Sequence, residues 1–333
     1  MTLDPKVKKL AIDVALKRPA GDFSLNELED TLRQEMATLV CDETGAINFY
    51  KWQSNGKVIF QIMATMIDEL LPREVAKVFG PFADFMTVGH GDKPRFILKK
   101  GIGNVKRFVT RVAAAGVYER VRLDRDYLDV ETYAHGGAVY QTLEGFLAGR
   151  ESISEVLGIF LKELENAAYE DVTVALQGTM AAMPAANKHS AGAFVAAEFD
   201  RILNTVRAYG QPSIFATQAF AASLTPLDKF IGDADKADMR NFGYIGKYMG
   251  ADVILIPQSF TDATNATKVV SDEFAYIIPS GGMEKPVKVV YEGDTLIREV
   301  EREDWSIEMQ IYKKMGIAIL NTNHFGIYQN TAL

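Results

Sequence analysis

Residues 95–112 read RFILKKGIGNVKRFVTRV. A β-like run, Arg95-Phe96-Ile97-Leu98, leads into Lys99-Lys100-Gly101-Ile102-Gly103-Asn104, and a second β-like run extends from Val105 to Val112. Two readings compete. Gly101 and Gly103 either supply the first half of a G-x-G-x-x-G phosphate turn, or they bend a long hairpin that serves a neighbouring molecule. The phosphate turn needs a third glycine for close helix–strand packing, and a helix whose N-terminus faces the pyrophosphate. Lys106 stands at the third-glycine position. Residues 105–112 alternate like a strand, with Val105, Arg107, Val109 and Arg111 on one side and Lys106, Phe108, Thr110 and Val112 on the other. The context for a phosphate turn fails, and the hairpin is the better reading.

Charge sharpens that reading. From Lys93 to Arg125 the basic residues are Lys93, Arg95, Lys99, Lys100, Lys106, Arg107, Arg111, Arg120, Arg122 and Arg125, against Glu119 and Asp124. The stretch carries +8 in a chain of −8, which leaves −16 on the remainder. A two-stranded ribbon is marginal alone in water, so a long basic one should lie on something acidic. Interleaved Phe96, Phe108 and Tyr118 also suit a nucleic-acid surface. The acidic remainder, however, repels a phosphate backbone. Segregated opposite charges favour head-to-tail contact between copies, which builds rings or lattices. Self-assembly is therefore the expectation, with nucleic-acid binding as its rival.

Composition excludes several other classes. With 333 residues, 48% hydrophobic and 24% charged, the chain has the makeup of a folded protein with room for a large core. The single cysteine, Cys41, rules out internal disulfides and multi-cysteine metal sites, and points to synthesis in a reducing cytoplasm. The opening MTLDPKVKKLAIDV lacks the apolar centre of a secretion signal. VIFQIMATMI is too short to span a bilayer, so a soluble chain is expected. His90, His135, His189 and His324 sit beside glycine or in small-residue stretches and read as polar turn residues. Cys41 reads as a free structural thiol. H-E-x-x-H, G-x-x-x-x-G-K-[ST] and G-x-S-x-G do not occur. Gly243, Gly246 and Gly250 precede the strand at Val253, whereas a nucleotide fingerprint must come after its strand. No catalytic residue, cofactor or metal is expected.

Along the chain, Val7, Leu10, Ala11 and Val14 share one helical face, and Pro19-Ala20-Gly21 ends it. Ser24 and Glu27 form a capping box before Leu25, Leu28, Leu32, Met36 and Leu39. Residues 41–57 read as loop, and helix returns from Val58 to Leu71, stopping at Pro72. These short helices need another surface to pack on. Tyr127 to Tyr133 reads as a strand, turned at His135-Gly136-Gly137. Ser152-Ile153-Ser154-Glu155 is a second capping box, leading into a long apolar stripe from Ile153 to Ala175, with Gly178 as C-cap. Met180 to Ser190 reads as a linker. From Ala191 the texture becomes α/β: a helix around Phe194, Glu198, Ile202 and Val206, then strands at Ile214–Ala216, Val253–Ile256 and Phe274–Ile278. Val287, Val289 and Tyr291 alternate up to a turn at Glu292-Gly293-Asp294, and Trp305, Ile307, Met309 and Ile311 alternate again.

This order of parts resembles the major capsid proteins of tailed bacteriophages. The similarity is strongest in AKVFGPFADF (76–85), FVTRVAAAGVYERVRLD (108–124), YLDVETYAHGGAVY (127–140), GKYMGADVILIP (246–257), AYIIPSGGMEKPVKVVYEGD (275–294) and GIAILNTNHFGIYQN (316–330). The resemblance implies an α+β fold in five parts. Residues 1–80 would be an N-terminal arm and 81–125 an extended loop formed by a long β-hairpin. Residues 126–190 would be a peripheral domain with a spine helix, 191–285 an axial α/β domain, and 286–333 the closing strands of the peripheral domain. It further implies that Arg95, Lys99, Lys100, Gly101, Gly103, Lys106, Arg107 and Arg111 lie in a loop that crosses an adjacent subunit. It implies pentamers and hexamers of an icosahedral head in the virion, enclosing DNA without binding it specifically, with scaffolding, portal and cement proteins as further partners. Lys99, Lys100 and Asn321 have the chemistry for the isopeptide cross-link found in some members. Two other readings stay open at this point: an encapsulin-type compartment around a protein cargo, and a nucleotide-dependent enzyme built on 191–285.

Overall fold

A computed structural model describes residues 5–15, 24–43, 45–46, 48–100, 124–142, 153–224, 232–280, 285–301, 306–320 and 322–333. Helices α1 (Pro5–Ala15), α2 (Leu25–Val40) and α3 (Phe49–Phe79) open the chain. The expected stripe of α1 packs its Ala11 with Leu32 of α2 and Ile62 of α3, flanked by Val7, Leu10 and Val14. The capping box at Ser24 forms: its Oγ accepts from the Glu27 amide, and its own amide donates to Glu27 Oε2 at 2.7 Å.

Helix α3 is much longer than its sequence suggests. Asn48 caps it, accepting from the amides of Tyr50 (3.0 Å) and Lys51 (3.2 Å), so 49–57 is helix and not loop. Gly56 lets the Trp52 ring lie against the helix backbone, where a Cβ would stand 3.3 Å from that ring. Nor does Pro72 end the helix. An interior proline costs about 3 kcal/mol. Beyond it, however, Val75 and Phe79 are wholly buried, and each such side chain returns about 1.5–3 kcal/mol. Burial of the last two turns outweighs the break.

One side of the main core comes from a four-stranded sheet in the order β1 (Ala83–Val88), β10 (Val287–Glu301), β11 (Ser306–Ile319) and β4 (Tyr133–Thr142). Strand β1 runs parallel to β10, while β10–β11 and β11–β4 are antiparallel. Alternation sends Val287, Val289, Tyr291, Met309, Ile311 and Met315 to one face, where they join α3 and α4 (Ile153–Thr179). Helix α4 has 27 residues, or about 40 Å at 1.5 Å per residue. Phe160, Leu164, Ala168, Val172 and Leu176 form its buried stripe. Gly178 lies inside the helix rather than past its end, and Ser152 lies outside the described residues.

Two expected turns are strand. His135-Gly136-Gly137 runs through the middle of β4, opposite Lys313, Tyr312 and Ile311. Gly136 is needed there for closeness, since a Cβ would stand 3.2 Å from the Ile311 carbonyl oxygen. Glu292-Gly293-Asp294 is a bulge within β10, where the register against β11 shifts between Glu292 and Leu296. Gly293 supplies the left-handed residue at φ 67°. The chain therefore bends without reversing.

The second sheet has six strands: β5 (Lys188–Ala191), β12 (Gly326–Asn330), β9 (Phe274–Ser280), β6 (Gln211–Ala216), β8 (Ala251–Leu255) and β7 (Lys247–Tyr248). Part of the expected linker 180–190 is thus a strand, and the final strand β12 lies here, between β5 and β9. Ile214, Ala216, Ala275 and Ile277 face α5 (Ala196–Arg207), with Phe199, Ile202 and Val206. Phe215, Tyr276 and Ile278 face the main core, where Phe82 meets Phe215 edge-on at 4.4 Å. One sheet is thus the wall between two cores. Pro212 and Pro279 lie within β6 and β9 as register partners, so the two missing donors fall on one rung. Short helices α6 (Gln218–Ser223) and α7 (Asp233–Phe242) complete this part. No helix among the described residues is long and apolar enough to cross a membrane.

Candidate functional site

The basic stretch begins as a ribbon that stands apart from both sheets. Strand β2 (Arg95–Lys100) pairs antiparallel with β3 (Asp124–Asp129), and neither pairs with any other described strand. The partner of β2 is therefore the far end of the basic stretch. At the root, Arg95 grips Asp129 in two contacts, Nε to Oδ1 at 2.7 Å and Nη2 to Oδ2 at 3.2 Å. This holds the Arg95 proton more tightly and lowers the Asp129 pKa. Further out the register places Lys99 opposite Arg125 and Lys100 opposite Asp124. Ile97 (47% exposed) and Tyr127 (55%), also register partners, leave an apolar rung open to solvent. Of the residues expected in the crossing loop, Arg95, Lys99 and Lys100 lie on β2. Gly101, Gly103, Lys106, Arg107 and Arg111 lie outside the described residues, as does Asn321.

The ribbon joins the body through two connections, 89–94 and 130–132. They are tied together by the Val130 amide donating to the Pro94 carbonyl at 3.1 Å. Both also reach one side chain that the sequence concealed inside an apparent turn. Glu292 Oε1 accepts from the Gly91 amide at 2.9 Å and from Lys314 Nζ at 3.0 Å, and Oε2 accepts from the Thr132 hydroxyl. These bonds, from Thr132 first and then Gly91 and Lys314, hold the Glu292 carboxyl well below the usual carboxylate range despite its burial. The group is therefore charged at neutral pH. Its contribution is complete above about pH 4.5 and is lost only as pH falls through the depressed value. Lys288, also buried, pairs with Asp84 and lies 5.7 Å over the Phe96 ring, fixing the first ribbon residues to β10.

The histidines divide. His90 and His324 lie in turns as expected, while His189 is in β5 and His135 is in β4. His135 Nε2 stands 2.8 Å from Asp171 Oδ2 of the spine helix. That contact raises the His135 pKa, against burial, with Glu170 adding to it. The stabilisation is full below about pH 6.5 and fades as pH rises through the raised value. The melting temperature of the wild-type subunit should accordingly fall relative to His135→Gln between pH 6 and pH 9. A difference independent of pH would refute the pair's role. Burial pushes the Cys41 thiol up, away from a reactive thiolate. No three His, Cys, Asp or Glu side chains gather as a metal site among the described residues.

The family described as "SPbeta prophage-derived putative capsid protein YonB" matches residues 7–329. The chain belongs to this family. Membership carries the role of a phage capsid protein, and solved structures agree on the fold. A structure from Microbacterium phage Oxtober96 superposes with a TM-score of 0.51 at 12% identity, covering 74% of this chain and 88% of that one. The capsid structure of Cyanophage P-SCSP1u gives a TM-score of 0.51 at 9% identity, covering 76% and 87%. No curated protein sequence matches. At such low identity the shared feature is the α+β tailed-phage capsid architecture. The YonB-family chain keeps it with a sequence of its own.

Proposed function

We propose that this capsid protein is the repeating shell subunit of an icosahedral phage head, assembled in the host cytoplasm from hexamers and pentamers around DNA. One observation carries the reading: a partly apolar ribbon, at the base of a sequence stretch (93–125) that carries +8, pairs with nothing else among the described strands of its own subunit. An isolated two-stranded ribbon is marginally stable at best in water. The exposed Ile97–Tyr127 rung is covered, and the basic residues of the 93–125 stretch meet counter-charges, if the ribbon lies on the acidic remainder of an adjacent copy. Arg95, Lys99, Lys100, Gly101, Gly103, Lys106, Arg107 and Arg111 are the residues assigned to that crossing. In this reading the first helices serve as the arm, though α3 is docked in the main core, and the chain from β2 to β3 serves as the crossing loop. The four-stranded sheet with α4 serves as the peripheral part, and the six-stranded sheet, which also takes in β5 and β12, as the axial part. The acidic excess elsewhere keeps packaged DNA from adhering to the wall. The subunit acts by contact and not by catalysis. Scaffolding, portal and cement proteins would be its other partners.

Charge supplies the test. Reversing Arg107 and Arg111 to Glu should cut the yield of particles most strongly at low ionic strength, because salt screens the attraction that the change removes. Light scattering during assembly at 20 mM and 500 mM NaCl measures it. A defect of equal size at both salts would count against the electrostatic account.

A further inference from the structure

The direction of the ribbon is decided at its root, because the ribbon has no lateral partner among the described strands to steer it. Glu292 occupies the centre of that root. It is 3% exposed and is the last residue of the regular β10–β11 ladder before the bulge, paired with Lys314. Its two oxygens hold the incoming connection at the Gly91 amide and the outgoing one at the Thr132 hydroxyl. Two glycines flank this point and let the connections lie flat on the sheet. A Cβ on Gly293 would stand 2.1 Å from the His90 ring, and one on Gly316 would stand 2.4 Å from the Glu131 carbonyl oxygen. The connections are also bonded to each other, so they move together. A carboxylate gripping both therefore turns the ribbon as a unit.

We propose that Glu292 is a positioning residue: seated between Gly293 and Gly316, it sets the angle at which the ribbon leaves the subunit and thereby the curvature of the assembled shell. The inference rests on the reading of the chain as a shell subunit. Rigid attachment matters because a small angular error at the root becomes a large displacement at a distant contact.

The test uses the full chain with Glu292→Ala, Thr132→Val and Thr132→Ser. Hydrogen exchange on the unassembled subunit should show the Gly91 amide exchanging at least tenfold faster in Glu292→Ala, with β10–β11 amides unchanged. Electron microscopy of assembled material should show a broadened spread of diameters for Glu292→Ala and Thr132→Val. Thr132→Ser, which keeps the hydroxyl, should restore the wild-type spread. If Glu292→Ala does not fold, the Thr132 pair decides. Wild-type diameters in Thr132→Val, or equal defects in Thr132→Val and Thr132→Ser, overturn the proposal whatever the exchange rates. If the wild-type protein itself builds no shells, the shell reading fails instead, and Gly91 exchange still reports whether the clamp exists.

Discussion

A chain in which residues 101–123 are replaced by Asn-Gly folds but builds no closed shell. The replacement is chosen from the ribbon's register. Lys100 and Asp124 are the outermost pair of the β2–β3 ladder, and a two-residue Asn-Gly turn closes such a pair with the right twist. The root is untouched: Arg95 keeps Asp129, and Gly91 and Thr132 keep Glu292. Among the described residues, both cores are built from side chains outside the deleted stretch. The subunit should therefore melt within a few degrees of wild type and give a similar circular-dichroism spectrum. Sedimentation should show only small oligomers where wild type gives particles. Closed shells from the shortened chain would remove the ribbon from the assembly mechanism.

The second large effect concerns stability. Asp68 on α3 holds the sheet to the helix. Its Oδ1 accepts from Lys313 Nζ at 2.6 Å and from the Thr295 hydroxyl at 2.6 Å, and Oδ2 accepts from the Thr295 amide at 3.0 Å. The Lys313 side chain is 3% exposed and donates also to the Gly293 carbonyl at 2.8 Å. Asp68→Ala leaves that ammonium buried without a counter-charge, which costs about 3–5 kcal/mol. A lower urea midpoint with an unchanged slope measures it. Adding Lys313→Met removes the orphaned charge and should recover more than half of the loss. The Thr295 bonds stay broken, so recovery is incomplete. If the double variant is no more stable than Asp68→Ala, the cost lies in helix docking and not in the stranded charge.

Local signals in this chain are legible, and distant ones are not. The Ser24–Glu27 box, the α1 stripe and the spine-helix stripe are read within a few residues, and each stands where expected. The resemblance to tailed-phage capsid proteins also gives the α+β architecture correctly. Failures occur where tertiary packing overrides local chemistry. Pro72 is a helix breaker by propensity, yet it sits inside α3 because burial beyond it is worth more. Gly136 and Gly293 signal turns, yet one serves close strand approach and the other a bulge. The ribbon is legible as a charged hairpin, but its pairing of 95–100 with 124–129 is not, because intervening basic strand-like sequence offers a nearer partner. The Glu292 clamp is invisible for a similar reason. Gly91 and Thr132 lie 201 and 160 residues away from it in the chain, and no period or motif links such positions.

The ribbon that carries the basic stretch is expected to rest on another copy of the chain. Cryo-electron microscopy of particles assembled from the purified full-length protein tests it most directly. The account predicts closed icosahedral shells in which density for 95–125 crosses onto an adjacent subunit and meets acidic side chains there. A ribbon folded back onto its own subunit, or a protein that stays monomeric at every concentration, would contradict it.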